Sequence, residues 1–364
     1  MKEKILHICR EFRIYGDLAS YEEIKVGNVN QTYKVNFLTP ERQSKSYIVQ
    51  SVNTYVFKNP IGVMENIDLV TEHIRAKKVG KVALHFHHTS EGKTYVFDEN
   101  GFWRLFNYIV SDTYNATTDP EVLFNAGEAF GEFQMLLCDF DASQLFETIP
   151  DFHDTKKRFE KLWQDVQADP YGKVREVKEE LSWIRSVEKM ACQLTDLYEQ
   201  GALPLRVTHN DTKINNVLFD KRDKSALVVI DLDTVMPGLI GNDFGDAIRF
   251  AANYVAEDSS EYEKAGINMD VFSSFTDGFL KHTAKSLTQK EIETLPLSCF
   301  CLTVELATRF LGDYILGNPY FKTDYPEHNL VRARCQIALA KDILLRMEEM
   351  QSIVKDCTRK YIGN

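Results

Sequence analysis

The sequence predicts an α+β chain of two lobes, a small β-rich lobe over residues 1–108 and a larger helical lobe over 109–364. Three observations predict it. Strand-like alternation is confined to the first hundred or so residues, and helical spacing takes over after about residue 110. Between long helical stretches, residues 209–233 set out a polar loop, a short strand-like run, a turn and an apolar strand.

The elements follow in order. Gln31 to Leu38 alternates, with Tyr33, Val35 and Phe37 on one face, and Tyr47 to Val52 is a second strand. Met64 to Lys77 carries helical spacing at Met64, Ile67, Val70 and Ile74. Thr94 to Phe97 and Phe102 to Ile109 flank Asp98-Glu99-Asn100-Gly101, whose Asn-Gly pair signals a hairpin. The strand ending near Tyr108 is the expected hinge, and a ligand cleft is expected between the lobes. Asp119-Pro120-Glu121 reads as a helix start, after which apolar residues recur at Leu123, Ala126, Phe130, Phe133 and Leu137. Residues 154–200 are charged and helical with a break at Pro170-Tyr171-Gly172, and a last helix runs from Glu327 through Leu330, Ala333, Ile337, Ala340, Leu344, Met347 and Val354.

A net charge of −11 argues against a nucleic-acid surface, which needs a basic stripe. The seven cysteines are scattered without a CxxC pair, which fits reduced thiols in a cytoplasm. Met1-Lys2-Glu3-Lys4 lacks the apolar run of a signal peptide, and no membrane span is expected because no 18-residue apolar stretch is evident. The oligomeric state is left open.

Chemistry concentrates in 209–233. Asp211 lies in the polar loop, Asn216 follows five residues later, and Asp231 ends the apolar run Ala226 to Ile230. Phosphoryl transfer from ATP uses that order. One carboxylate aligns the attacking hydroxyl and takes its proton, and an amide and a second carboxylate hold the magnesium that bridges the phosphates. Asp211 is therefore the candidate base, and Asn216 and Asp231 are the candidate metal ligands. His209 is expected to order the loop. A polar turn that only caps backbone groups is the plainer alternative, and the joint match argues against it. Lys213 is either a solvated loop lysine or a charge aimed at the transferred phosphate. Asp243-Phe244-Gly245 copies a kinase motif but follows no apolar strand, so Asp243 is expected to cap the helix that carries Arg249. Asp233 is a candidate to support the metal site.

These segments resemble the aminoglycoside phosphotransferase and choline kinase superfamily. Over nearly the whole chain the sequence is similar to the bacterial N-acetylhexosamine kinases that phosphorylate the anomeric hydroxyl. The strings include Phe140-Asp141-Ala142-Ser143-Gln144-Leu145, Phe152-His153-Asp154-Thr155, Pro204 to Asn216, Ile230-Asp231-Leu232-Asp233-Thr234, Arg309-Phe310-Leu311 and Tyr325 to Arg332. The resemblance implies a bilobal protein-kinase-like fold, ATP and Mg2+ as cofactors, a small-molecule sugar substrate and a sugar 1-phosphate product. By position it implies that Arg309, Asp313 and Tyr320 bind sugar beside Asp211. A structural ion pair of Arg309 with Glu305 or Asp313 is the alternative reading.

On the nucleotide side, Val26 to Tyr33 would cover the phosphates, with Gly27, Asn30 and Thr32 as contacts, although the same turn also reads as an ordinary hairpin. Phe106 and Tyr108 at the hinge are further nucleotide candidates. Gln50 stands where many kinases carry a strand lysine, and Lys213 with magnesium is expected to supply the missing charge. His85-Phe86-His87-His88 reads as a surface or strand-end cluster. An aminoglycoside or amino alcohol kinase, or a non-catalytic nucleotide-binding module, are the competing functions. A protein kinase is disfavoured because no Ala-Pro-Glu segment is present.

Overall fold

The computed structural model of the protein describes residues 1–24, 29–78 and 82–363. Helix α1 (Lys2–Glu11) precedes three antiparallel strands, β1 (Asp17–Ile24), β2 (Gln31–Leu38) and β3 (Ser44–Ser51). Helix α2 (Pro60–Lys77) follows, then the hairpin of β4 (Val96–Asp98) and β5 (Gly101–Asn107). The five strands form one antiparallel sheet in the order β1-β2-β3-β5-β4. The expected hairpin forms, with Asp98 paired to Gly101 and φ at Gly101 of 109°.

The alternation read from the sequence gives this sheet two different faces. Tyr33, Val35, Phe37, Val49, Trp103 and Leu105 are buried against Ile5, Ile8 and Cys9 of α1 and Phe12 just after it. That helix was not anticipated. It is only one stretch of ten residues, lacks a side-chain N-cap bond, and its apolar face was hidden by the charged residues around it. On the opposite face, Val52, Phe86 and Phe102 join α2 in the main core.

The helical lobe contains α3 (Pro120–Leu136), α4 (Thr155–Ala168), α5 (Lys178–Ala191) and α6 (Gln193–Glu199). Asp119 caps α3 through Glu121 N, and Asp154 caps α4 through Lys157 N, as Asp before a first turn should. Two short antiparallel strand pairs then frame the functional loop. Strand β6 (Arg206–Thr208) pairs with β9 (Met236–Gly238), and β7 (Val217–Phe219) pairs with β8 (Ala226–Val229). Helices α7 (Ile240–Ala251), α8 (Met269–Thr283), α9 (Gln289–Ile315) and α10 (His328–Ile362) complete the lobe. The molecule is thus α+β, with a small antiparallel sheet lobe and a larger helical lobe. The main apolar core is continuous across residue 108 and runs from Val52 to Val354.

One expectation is corrected. Helix α9 does contain an 18-residue window long and apolar enough to cross a membrane, and 83% of that window is buried inside the molecule. The helix is buried along most of its length because α4, α7 and α10 pack around it. Cys299 and Cys301 lie buried within it as free thiols.

Helices α3 and α8 approach closely through glycine. A Cβ on Gly278 would overlap the carbonyl of Phe124, and one on Gly127 would overlap the carbonyl of Phe275. In an exposed helix, Gly→Ala gains about 0.5–1 kcal/mol. Here the overlap reverses the sign, and Gly278→Ala should cost about 1–3 kcal/mol in urea unfolding, the usual range for overpacking. A stabilised variant would show that this contact is not tight.

Candidate functional site

The functional loop leaves β6 at Thr208 and is held from behind by helix α7. His209 N donates to Asp243 Oδ2 at 2.9 Å and Asn210 N donates to Oδ1 at 2.7 Å. Gln134 Nε2 donates to Oδ2 at 2.8 Å. Asp243 lies inside the first turn of α7, whose N-cap position is Leu239, so it does not cap its own helix as the sequence suggested. Its carboxylate turns outward to cap the loop. Burial raises its carboxyl above the ordinary value, against the pull of His209 and of those N–H groups. Thr212 Oγ1 donates to the Asp243 carbonyl at 2.5 Å and ties down the loop's far side.

His209 is fully buried between Phe130 and Phe133. Asp211 N donates to its Nδ1 at 3.2 Å, so the ring hydrogen sits on Nε2 and is donated to the carbonyl of Ile230 at 2.9 Å. The histidine links the loop to the end of β8, which is the ordering role expected of it. Asn210 takes a left-handed conformation at φ 64°, and its side chain donates to the carbonyls of Thr208 and Thr234.

The catalytic candidates converge. Asn216 Nδ2 donates to the Asp211 carbonyl at 2.9 Å and reaches Asp211 Oδ2 at 3.4 Å. No described residue donates to Asn216 Oδ1, which leaves that oxygen available to a cation. Lys213 Nζ lies 2.8 Å from Asp211 Oδ1. Burial works against its charge, but Asp211 and then Asp246 outweigh it and raise its pKa. Asp246 is itself clamped by Arg249, which also binds Glu257.

Strand β8 stops at Val229, so Asp231 stands beyond the strand end in a left-handed conformation at φ 63° and opens a 3-10 turn over 232–234. The residue as a whole keeps exposed surface. Enclosure by surrounding protein, then repulsion from Asp233 and Asp211, pushes its carboxyl up to about 6. A cation would relieve that repulsion. The oxygen donors of Asn216 and Asp231 suit magnesium, which takes one or two protein ligands and fills the rest with phosphate and water. Among the described residues no three His, Cys, Asp or Glu side chains form a cation cage by themselves.

On the sheet side, Asn30 Nδ2 donates to Asp233 Oδ2 at 2.7 Å, and Gln50 Nε2 donates to Thr32 Oγ1 at 2.9 Å. Gly27 lies outside the described residues. Phe106 packs on Phe86 with ring centroids 4.9 Å apart, and Tyr108 stacks under Lys34. Sequence reading missed two groups here. Arg104, only 2% exposed, binds both Gln50 and Asp233. Its signal was an arginine inside the apolar run Phe102-Trp103-Arg104-Leu105-Phe106. Asn66 of α2 is fully buried and donates to the carbonyls of Phe146 and Val235.

The three acceptor-side candidates take different roles. Asp313 accepts from Tyr320 N, Phe321 N and Asn329 Nδ2, which anchors the loop after α9. Its oxygens are therefore already engaged. Arg309 makes neither of the ion pairs weighed from the sequence. Glu305 binds His153 and Thr155, and the Arg309 guanidinium lies 5.3 Å from the Phe152 ring and 5.5 Å from the Phe321 ring. Tyr320 is largely exposed. His153 Nε2 also approaches the Asn210 carbonyl at 3.4 Å, so the Phe152-His153 segment joins the Arg309 region to the functional loop. The histidine cluster lies beside acidic residues from α2, with His85 near Glu72 and His88 near Asp68. Those partners were invisible at short sequence range.

Asp243→Ala should leave two buried loop N–H groups unpaired, at about 1–3 kcal/mol each. The expected result is a loss of roughly 2–6 kcal/mol in chemical denaturation, with Asp243→Asn intermediate because it keeps one acceptor oxygen. Equal stability of Asp243→Ala and the native protein would contradict the bracing role.

The model of the phosphotransferase enzyme family matches residues 20–273 of this chain. Among solved structures, the chain is similar to an aminoglycoside phosphotransferase from Alicyclobacillus acidocaldarius, at 12% identity and TM-score 0.63 over 96% of each chain. A spectinomycin phosphotransferase in complex with ADP and spectinomycin aligns at 13% identity and TM-score 0.56, over 96% of this chain and 98% of that one. Choline kinase from Cryptosporidium parvum aligns at 14% identity and TM-score 0.56, over 97% of this chain and 98% of that one. At these identities the likeness is one of fold, a kinase-like fold with a small sheet lobe and a larger helical lobe. With the family match extending over well more than half of the sequence, the chain belongs to the phosphotransferase enzyme family.

Proposed function

We propose that the chain is an ATP- and magnesium-dependent kinase that transfers the γ-phosphoryl group to the anomeric hydroxyl of an N-acetylhexosamine, either N-acetylglucosamine or N-acetylgalactosamine. The observation that carries the transfer chemistry is the convergence of Asp211, Lys213 and Asn216 in one braced loop facing the Asp231 turn. A family relative solved with ADP supports the choice of nucleotide. Magnesium-ATP, when bound, supplies the transferable phosphoryl group and neutralises its oxygens. The residues of the chain do the rest. Asp211 aligns the acceptor hydroxyl and accepts its proton at a carboxylate oxygen. Asn216 Oδ1 and the Asp231 carboxylate would hold the cation. Lys213 stays charged beside Asp211 and Asp246 and offsets negative charge that grows on the phosphoryl oxygens.

The acceptor class rests on the sugar-kinase-like strings and on Arg309. Its guanidinium has no ion-pair partner among the described residues. Arg158 lies near enough that burial and Arg309 together lower its pKa. A cationic acceptor would be repelled there, whereas a neutral sugar can accept hydrogen bonds from Arg309 and stack on Phe152 or Tyr320. An amino alcohol or aminoglycoside acceptor is the second reading, favoured by the carboxylates Glu147, Asp151, Asp154 and Glu199 around a cleft of about 390 Å³ beside Asn210. Asp151 and Glu199 are already paired with Lys157 and Lys156, at 2.5 and 2.6 Å, which reduces that pull.

A coupled ADP-release screen over free hexoses, N-acetylhexosamines, aminoglycosides and amino alcohols tests both readings. N-acetylhexosamines should give the highest kcat/KM, with NMR placing phosphate at C1. A preference for cationic acceptors would reject the sugar reading, and no ADP release with any acceptor would reject the kinase reading. Asp211→Asn should lower kcat by about 10²–10⁴-fold, the range for losing a general base. Lys213→Ala should lower kcat at saturating ATP by about 10²-fold, as for removal of a charge-stabilising donor. A Lys213→Ala enzyme with full kcat would remove that residue from the mechanism.

A further inference from the structure

A guanidinium in the middle of an apolar strand needs strong compensation, because an unpaired buried charge is costly. Arg104 sits on β5 directly opposite Gln50 of β3 in the strand register. Its Nε donates to Gln50 Oε1 at 2.9 Å, and its Nη1 donates to Asp233 Oδ1 and approaches Met64 Sδ of α2 at 3.8 Å. Gln50 is thereby oriented, with its Nε2 turned to Thr32 Oγ1. The second oxygen of Asp233 accepts Asn30 Nδ2, and Asn30 Oδ1 accepts Asn53 N at 3.0 Å. One cation therefore gathers residues from three parts of the sheet lobe onto the 3-10 turn that begins at Asp231.

We propose that Arg104 is the positioning residue of the nucleotide-phosphate site, a buried cation that ties the sheet lobe to the Asp231 turn where Gln50 provides only a neutral amide. Arg104 fixes Asp233, Asp233 fixes both Asn30 and the turn, and the turn aims the Asp231 carboxylate. The fork of a guanidinium matters, since one nitrogen serves Gln50 and another serves Asp233. A lysine ammonium can keep the ion pair with Asp233 but cannot hold the same planar pair of bonds. This inference rests on the phosphotransferase reading above, because it presumes that ATP binds in this cleft.

The test uses the full chain, with Arg104→Met, Arg104→Lys and Asp233→Asn. Calorimetry with ADP, with and without Mg2+, is read beside thermal unfolding and the separate KM values for ATP and acceptor. Arg104→Met should weaken Mg-ADP binding and raise the ATP KM by about tenfold or more, equivalent to about 1.4 kcal/mol, with the acceptor KM within about twofold. Arg104→Lys should recover part of that loss, and Arg104→Met combined with Asp233→Asn should lose little beyond the larger single effect. A folded Arg104→Met protein that binds Mg-ADP like the native chain would overturn the proposal. So would equal rises in both KM values that follow the loss of Tm without lysine rescue. If Arg104→Met does not fold, Arg104→Lys decides, with a severalfold weaker Mg-ADP affinity supporting the role and native affinity refuting it. Native protein that binds no ADP would overturn the phosphotransferase reading and this inference together. Native binding with an indifferent Arg104→Met overturns only the inference.

Discussion

Two adjacent backbone N–H groups, from His209 and Asn210, point at a single buried carboxylate, Asp243, and the functional loop takes its shape from that arrangement. A non-glycine residue in the left-handed region is disfavoured by about 1–2 kcal/mol. Asn210 adopts it because its N–H, its side-chain amide and its neighbours are all satisfied only in that geometry. The His209 ring then sits at a fixed height between two phenylalanines, where it takes the Asp211 N–H on one nitrogen and reaches Ile230 with the other. Asp211, Asn216 and the Asp231 turn are all positioned downstream of this one anchor.

The charges of the site are distributed unevenly. Asp211, Asp231 and Asp233 concentrate negative charge in the cleft, and enclosure first, then repulsion from Asp233 and Asp211, pushes the Asp231 carboxyl up to about 6. Lys213 and Arg104 stand on either side as fixed cations. Under the proposed function a bound cation would offset this negative charge.

Much of this was legible in the sequence, for identifiable reasons. Periodicity exposed the α3 face from Leu123 to Leu137 and the buried side of β2, because one-sided burial writes itself into spacing. The loop was legible because Asp211, Asn216 and Asp231 are close in sequence as well as in space. Asp243 was expected to cap its own helix, and its partners were misassigned, since a helix cap is local whereas the N–H groups that donate to it, from Asn210 and His209, lie 33 and 34 residues away. Arg104 escaped for a similar reason. Its partners Gln50 and Asp233 lie 54 and 129 residues distant, one brought near by the strand register and the other by the 3-10 turn of the helical lobe. Asp313 was assigned to the acceptor by resemblance alone, and nothing in its helix spacing announced that the loop at Tyr320 and Phe321 would occupy its oxygens.

The continuous core across residue 108 has a consequence for how such proteins diversify. Helix α2 and the inner face of the sheet bury their apolar side chains among residues of the helical lobe, and Asn66 fastens α2 to the carbonyls of Phe146 and Val235. The sheet lobe is therefore not a detachable cartridge. A graft of one lobe onto a foreign partner would have to carry a matching half of the packing surface with it. Variation is freer at exposed positions such as Tyr320, whereas its neighbour Phe321 packs against that shared interior.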